Sequence, residues 1–198
     1  MERHLAAANR LTNSLGSENV QWRAKVMKLQ EERRQLLGDC VVSAAFLTYT
    51  GAFSYNFRQR MLHNDWLPDL QNRQIPRSQE FKLTHFLTDE TTVAIWKDAG
   101  LPDDELSVQN GIIAARASRF PILIDPQQQA LNWVKNLEAK NNLRVATFED
   151  QDFLKHLELS IKLGTPFLFE NVCNSIDPIV HNVLSKNILR EEVVKNTC

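Results

Sequence analysis

The sequence predicts an α/β fold, in which one long N-terminal coiled-coil helix leads into a partial parallel sheet with flanking helices. Three observations predict it. No proline interrupts residues 1–37, where Met1, Ala8, Leu15, Trp22, Leu29 and Leu36 recur at every seventh position as one apolar column of a heptad. The run Phe120-Pro121-Ile122-Leu123-Ile124, then Asp125-Pro126 and a helical pattern through Trp133, Val134 and Leu137, reads as a buried strand, a tight turn and a helix. Two further strand-like runs, 143–148 and 166–172, alternate with helical segments. Together they make a β-α-β-α-β unit, which requires a parallel sheet.

Composition suits that plan. With 198 residues, 43% of them hydrophobic, the chain can bury a core and carry an appendage. A formal net charge of -1 supplies no broad basic field, so the bulk electrostatics do not point to nucleic acid. Cys40, Cys173 and Cys198 are too few and too scattered for a disulfide framework or a zinc site, which points to a reducing compartment. His4, His63, His85, His156 and His181 show no paired metal-ligand spacing. The N-terminus is charged from Glu2 and Arg3, and no run approaches about 18 apolar residues. The chain is therefore expected to be neither secreted nor membrane-spanning.

In the first helix the companion heptad column, Leu5, Thr12, Asn19, Val26 and Arg33, is only half apolar, and Gly16 interrupts the middle. So narrow a seam fits one partner helix, and no second heptad segment exists here to supply it. Residues 40–49 turn apolar and read as a helix entering a core, weakening at Thr50-Gly51. A second amphipathic helix over 53–67 carries Phe57, Met61, Leu62 and Trp66; Pro68 and then Ile75-Pro76-Arg77-Ser78 punctuate it. After a short piece over 81–88, Thr88-Asp89-Glu90 starts a helix that stops near Gly100. Asp103, Asp104 and Glu105 read as the acidic entry of the next helix, with metal ligation as the alternative. That helix delivers Arg116 and Arg119 to the mouth of the predicted central strand. There they read as solvated or salt-bridged arginines beside a strand. Helix 128–140 ends at Asn141-Asn142, Asp150 or Asp152 starts a helix that Gly164 stops, and Asp177-Pro178 starts the last one.

The strand-turn-helix at 120–137 is where a phosphate loop belongs. A working loop, G-x-x-x-x-G-K-[ST], needs glycines so that backbone amides cradle phosphate, a lysine to meet its charge, and a hydroxyl to hold Mg²⁺. Here those four positions are Asp125, Ala130, Leu131 and Asn132. A carboxylate repels phosphate and Leu131 offers it nothing. A working enzyme of this design also ends a later strand in two acids, for the metal and for the attacking water. Here that strand ends in Glu170 and Asn171, and an amide is no base. The residues thus predict no catalytic group, no metal and no cofactor in this segment. Two rival readings are an independent nucleotide-binding protein with a variant loop, and an adaptor that recruits a partner through the Leu15, Trp22 and Leu29 seam.

The segments Leu36-Leu37-Gly38-Asp39-Cys40, Phe86-Leu87-Thr88-Asp89, Gly100-Leu101-Pro102-Asp103-Asp104-Glu105-Leu106-Ser107, Ser118-Arg119-Phe120-Pro121 and Asn132-Trp133-Val134-Lys135-Asn136 resemble dynein heavy chains. The resemblance is to the end of the stalk's second coiled-coil helix and the fifth AAA+ module of the motor ring. Arg116-Ala117-Ser118-Arg119-Phe120-Pro121 and Gln127-Gln128-Gln129-Ala130-Leu131-Asn132-Trp133 look most like the axonemal inner-arm kind. It implies a stalk helix at 1–37 and a degenerate, C-terminally truncated AAA+ (P-loop NTPase-like) module at 38–198. The implied parent is an ATP-driven, minus-end-directed microtubule motor of cilia and flagella, using ATP and Mg²⁺ in other modules. This segment would be structural, coupling ring to stalk. Implied partners are neighbouring AAA+ modules, one of whose nucleotides Arg116 and Arg119 could reach, the opposite stalk helix, microtubules, and dynein intermediate and light chains, with no nucleic acid and no membrane. The implied location is cytoplasm, cytoskeleton and axoneme. Where the family continues into a fourth strand, this chain closes with Arg190-Glu191-Glu192-Val193-Val194-Lys195-Asn196-Thr197-Cys198. The sheet is therefore expected to be incomplete, with an open edge.

Overall fold

The computed structural model describes residues 2–172 and 176–186, with side chains from Glu18 onward. Met1, Cys173 and the closing stretch 190–198 lie outside what it describes, as do the side chains of the seam residues Ala8 and Leu15. The chain forms two compact units, Met1–Leu87 and Thr88–Cys198. Among the described residues no helix is long and apolar enough to cross a membrane.

The first unit is built on α1 (Glu2–Tyr49), a single 48-residue helix that is about 72 Å long at 1.5 Å per residue. Its described seam is bare: Trp22 is 68% exposed and Leu29 52%. Burial begins at Gly38 and Asp39 and continues through Val42, Ser43, Phe46 and Thr50, the three- and four-residue spacing of one helix face. Val42 packs with Leu62 and Leu70, flanked by Trp66, Leu67, Ile75 and Phe81.

Pro68 does not end the second helix as the sequence reading expected. The helix runs as α2 (Tyr55–Arg60), a π-helical turn (Met61–Trp66) and α3 (Leu67–Asn72). Proline has no amide to give the preceding turn and its ring crowds the carbonyl there. The wide turn resolves both, and Leu67 N–H donates five residues back, to Leu62 O. Below it, the Arg58 side chain is only 3% exposed. Its Nε donates to the carbonyls of Thr50 (3.0 Å) and Phe53 (2.9 Å), and Nη2 to that of Gly51 (3.2 Å). A cation thus meets the carbonyls just past the end of α1, which have no intrahelical donor. Burial lowers its pKa. A short helix, α4 (Leu83–Leu87), closes this unit.

The second unit opens with α5 (Glu90–Asp98) and α6 (Glu105–Arg116), each started by an aspartate as predicted. Gly100, at φ +105°, makes the turn after α5 that a side chain resists. Then come α7 (Gln129–Leu137) with a 3₁₀ turn (Ala139–Asn141), β1 (Arg144–Ala146), α8 (Phe153–Leu163), β2 (Phe167–Phe169) and α9 (Pro178–Leu184). β1 and β2 pair in parallel, in the register Arg144 to Phe167, Val145 to Leu168 and Ala146 to Phe169. α8 is the crossover between them. Ala146, Phe153, Leu157 and Val180 form the core beneath, with Phe148 stacked on Phe169 at 4.5 Å between ring centroids.

The fold class is the predicted α/β one, but the sheet is smaller than the sequence suggests. Residues 120–124, read as the buried central strand, are not a strand: Ile122 is 72% exposed and Ile124 95%. An extended run becomes a strand only beside another whose amides and carbonyls pair with its own. Among the described residues nothing pairs with it, and Pro121 lacks an amide. The other two strands are also trimmed, to three residues each.

Candidate functional site

The loop before α7 is shaped by Asp125. The carbonyl of Asp125 accepts from Gln128 N–H at 3.2 Å, and Gln128 turns into the left-handed region at φ 58° to start the helix. Gln128 makes no side-chain cap. Capping comes instead from the Asp125 carboxylate, whose Oδ1 accepts from Gln129 N–H (3.0 Å) and Oδ2 from Leu131 N–H (2.9 Å). These amides are among the four at a helix start with no intrahelical acceptor, and they are the donors that an anion at this end would need. The chain supplies its own anion.

The positions aligned with the phosphate loop are thus resolved one by one. Asp125 is half-buried and bonded to the helix start, Ala130 and Leu131 are half-buried in its first turn, and Asn132 is exposed. Behind them Trp133 is buried edge-on against Trp96, with centroids 5.8 Å apart, and Asn136 Nδ2 donates to Ala99 O at 2.9 Å. Gly111 lets α6 come this close, since a Cβ there would stand 3.2 Å from the Trp96 ring. The helix is therefore held on one side by aromatic packing and on another by charge.

That charge is Lys135, which forms an ion pair with Glu170. Lys135 lies four residues after Leu131, on the same helix face. A lysine one turn beyond the usual position thus reaches the strand-end carboxylate. Glu170 continues the ladder past β2, its N–H donating to Ala146 O at 3.0 Å, and Asn171 follows in the left-handed region at φ 51°. Sequence reasoning singled out Glu170 and missed Lys135. The i+4 spacing from Leu131 was the available signal.

The remaining candidates have local roles. Asp104 caps α6, accepting from Ser107 N–H (2.8 Å) and Ser107 Oγ (2.6 Å), and these bonds hold its pKa below the usual carboxylate value. Asp103 pairs with Lys97 at 2.5 Å. The Asp89 carboxyl is likewise lowered, first by the Thr92 N–H that it caps and in smaller part by Arg116. Arg116 and Arg119 are exposed, and the strand mouth predicted for them is absent.

Comparison with known proteins matches two stretches of the chain. The family described as the ATP-binding dynein motor region matches residues 94–197, and that described as the microtubule-binding stalk of dynein motor matches residues 1–70. The chain belongs to the dynein heavy chain family. This dynein segment is 57% identical over 188 residues to human dynein axonemal heavy chain 10, covering 95% of the segment and 4% of that relative. It is 48% identical over 173 residues to the dynein-1-alpha heavy chain of the flagellar inner arm I1 complex of Chlamydomonas reinhardtii, covering 87% and 4%. Identity to the outer-arm dynein gamma chain of that alga is 38% over 184 residues, covering 93% and 4%. The segment thus spans about 4% of the length of the curated relatives it matches.

Proposed function

We propose that this segment is a structural module of an axonemal dynein heavy chain, joining the motor ring to the stalk and neither binding nor hydrolysing ATP itself. The motor it serves is an ATP-driven, minus-end-directed microtubule motor of cilia and flagella, located in the cytoplasm, on the cytoskeleton and in the axoneme. ATP and Mg²⁺ act in other modules of that chain. Partners are the neighbouring AAA+ modules, the opposite stalk helix packing along the Trp22 and Leu29 seam, microtubules, and dynein intermediate and light chains through the whole motor.

One observation carries the non-catalytic reading: the Asp125 carboxylate sits on the Gln129 and Leu131 amides. The family's description includes ATP binding, yet the residues of this loop do not fit that ligand. A phosphate would have to displace an intramolecular anion held by two hydrogen bonds and would then face it as a like charge. Leu131 supplies no compensating cation, and Lys135 is engaged by Glu170. Such a module contributes leverage through the long helix rather than bond cleavage.

The test is equilibrium titration of the 198-residue chain with fluorescently labelled ATP and Mg²⁺. The expected result is no saturable binding up to roughly 1 mM, the weak end of ordinary affinities. Micromolar binding lost on Glu170→Gln substitution would instead establish a nucleotide-binding protein with a variant loop.

A further inference from the structure

We infer that Gly38 and Asp39 form a register lock, which fixes the axial position of α1 on its seat in the first unit at the point where the exposed part of the helix begins. Along α1 the change is abrupt: residues 18–37 are exposed save for half-buried Gln35, whereas Gly38 and Asp39 are buried. At that point the segment carrying Pro76, Arg77 and Ser78 crosses the helix. Gly38 N–H donates to Pro76 O at 3.0 Å, and the Asp39 carboxylate, 3% exposed, accepts from Ser78 N–H (3.0 Å) and Ser78 Oγ (2.5 Å).

The lock is selective because both partners are particular. A Cβ at position 38 would stand 2.5 Å from Pro76 O and 2.8 Å from Arg77 Cβ, so only glycine admits the crossing segment. Sliding α1 by four residues, about 6 Å at 1.5 Å per residue, brings Arg34 or Val42 to the place of Gly38. It brings Gln35 or Ser43 to the place of Asp39. Each slip sets a side chain against the Pro76 carbonyl and leaves Ser78 without its charged acceptor, while the Val42, Leu62 and Leu70 cluster loses its own registration. Displacement along the exposed helix therefore moves its seat with it and is not absorbed by sliding.

Pulsed dipolar spectroscopy tests this in the 198-residue chain with Cys40, Cys173 and Cys198 replaced by serine and nitroxides attached at Lys28→Cys and Asn72→Cys. The lock predicts one narrow distance in that parent, and in Gly38→Ala a second population displaced by about 6 Å, the four-residue slip. Should Gly38→Ala fail to fold, Asp39→Ala, which removes both acceptors and keeps a good helix former, is read in the same way. Two populations in the parent, or an unchanged single distance in the folded variant, would overturn the inference.

Discussion

Replacing glycine by alanine at two places in the same helix should have opposite effects on stability. Inside a helix alanine is favoured over glycine by about 0.8–1 kcal/mol, through backbone entropy alone. At Gly16 nothing lies within 4 Å of the new methyl, so Gly16→Ala should stabilise by up to about 1 kcal/mol. At Gly38 the same methyl meets a backbone carbonyl at 2.5 Å and the Arg77 Cβ at 2.8 Å, neither of which is the free end of a side chain. Moving them apart breaks the bond from Gly38 N–H to Pro76 O, about 0.5–1.5 kcal/mol, and strains the two to the Asp39 carboxylate, about 1.5–3 kcal/mol each if lost. Even partial loss exceeds the propensity gain, so Gly38→Ala should destabilise by about 2 kcal/mol net. Thermal unfolding followed by circular dichroism at 222 nm reads the difference directly. For a chain of this size each kcal/mol moves the midpoint by about 2–4 °C, upward for Gly16→Ala and downward for Gly38→Ala. Equal upward shifts for both would refute the packing argument at Gly38.

Trp133→Ala should cost about 3–5 kcal/mol, the usual figure for emptying a buried aromatic site, and unfolding of that variant in urea measures it. Asp104→Ala should remove a helix cap worth about 1 kcal/mol near neutral pH. The folded Asp104 pKa lies below its ordinary value of 3.8, so this contribution is complete above that value and fades as pH falls through the folded pKa. The difference in urea midpoint between parent and variant should therefore be larger at pH 7 than at pH 2.5. A double-mutant cycle on Lys135→Met and Glu170→Gln should give a coupling of about 1 kcal/mol or less, because both groups keep solvent contact.

Much of this chain is legible from local chemistry. Asp89, Asp104 and Asp177 cap helices where an aspartate stands three residues or fewer before an amide left over by the helix. Gly100 and Gly164 close helices because the closing residue needs positive φ. What is not legible depends on partners distant in sequence. The run 120–124 has the apolar character of a buried strand, but being a strand is a property of the pair, and the sequence of one member does not report the other. The reach from Asp39 to Ser78 spans 39 residues and leaves only a weak local trace, a glycine inside a helical pattern. At the loop, the carboxylate at Asp125 was readable as hostile to phosphate. That it also takes the phosphate's hydrogen bonds required the geometry of the turn through Gln128.

The start of α7 is already occupied by the chain's own carboxylate, that of Asp125. Backbone amide NMR of Gln129 and Leu131, followed while Mg·ATP is added to the 198-residue chain, observes those donors themselves. Both resonances should stay in place throughout the titration. A saturable shift of the two together, reproduced by inorganic phosphate alone, would mean that the loop accepts phosphate after all.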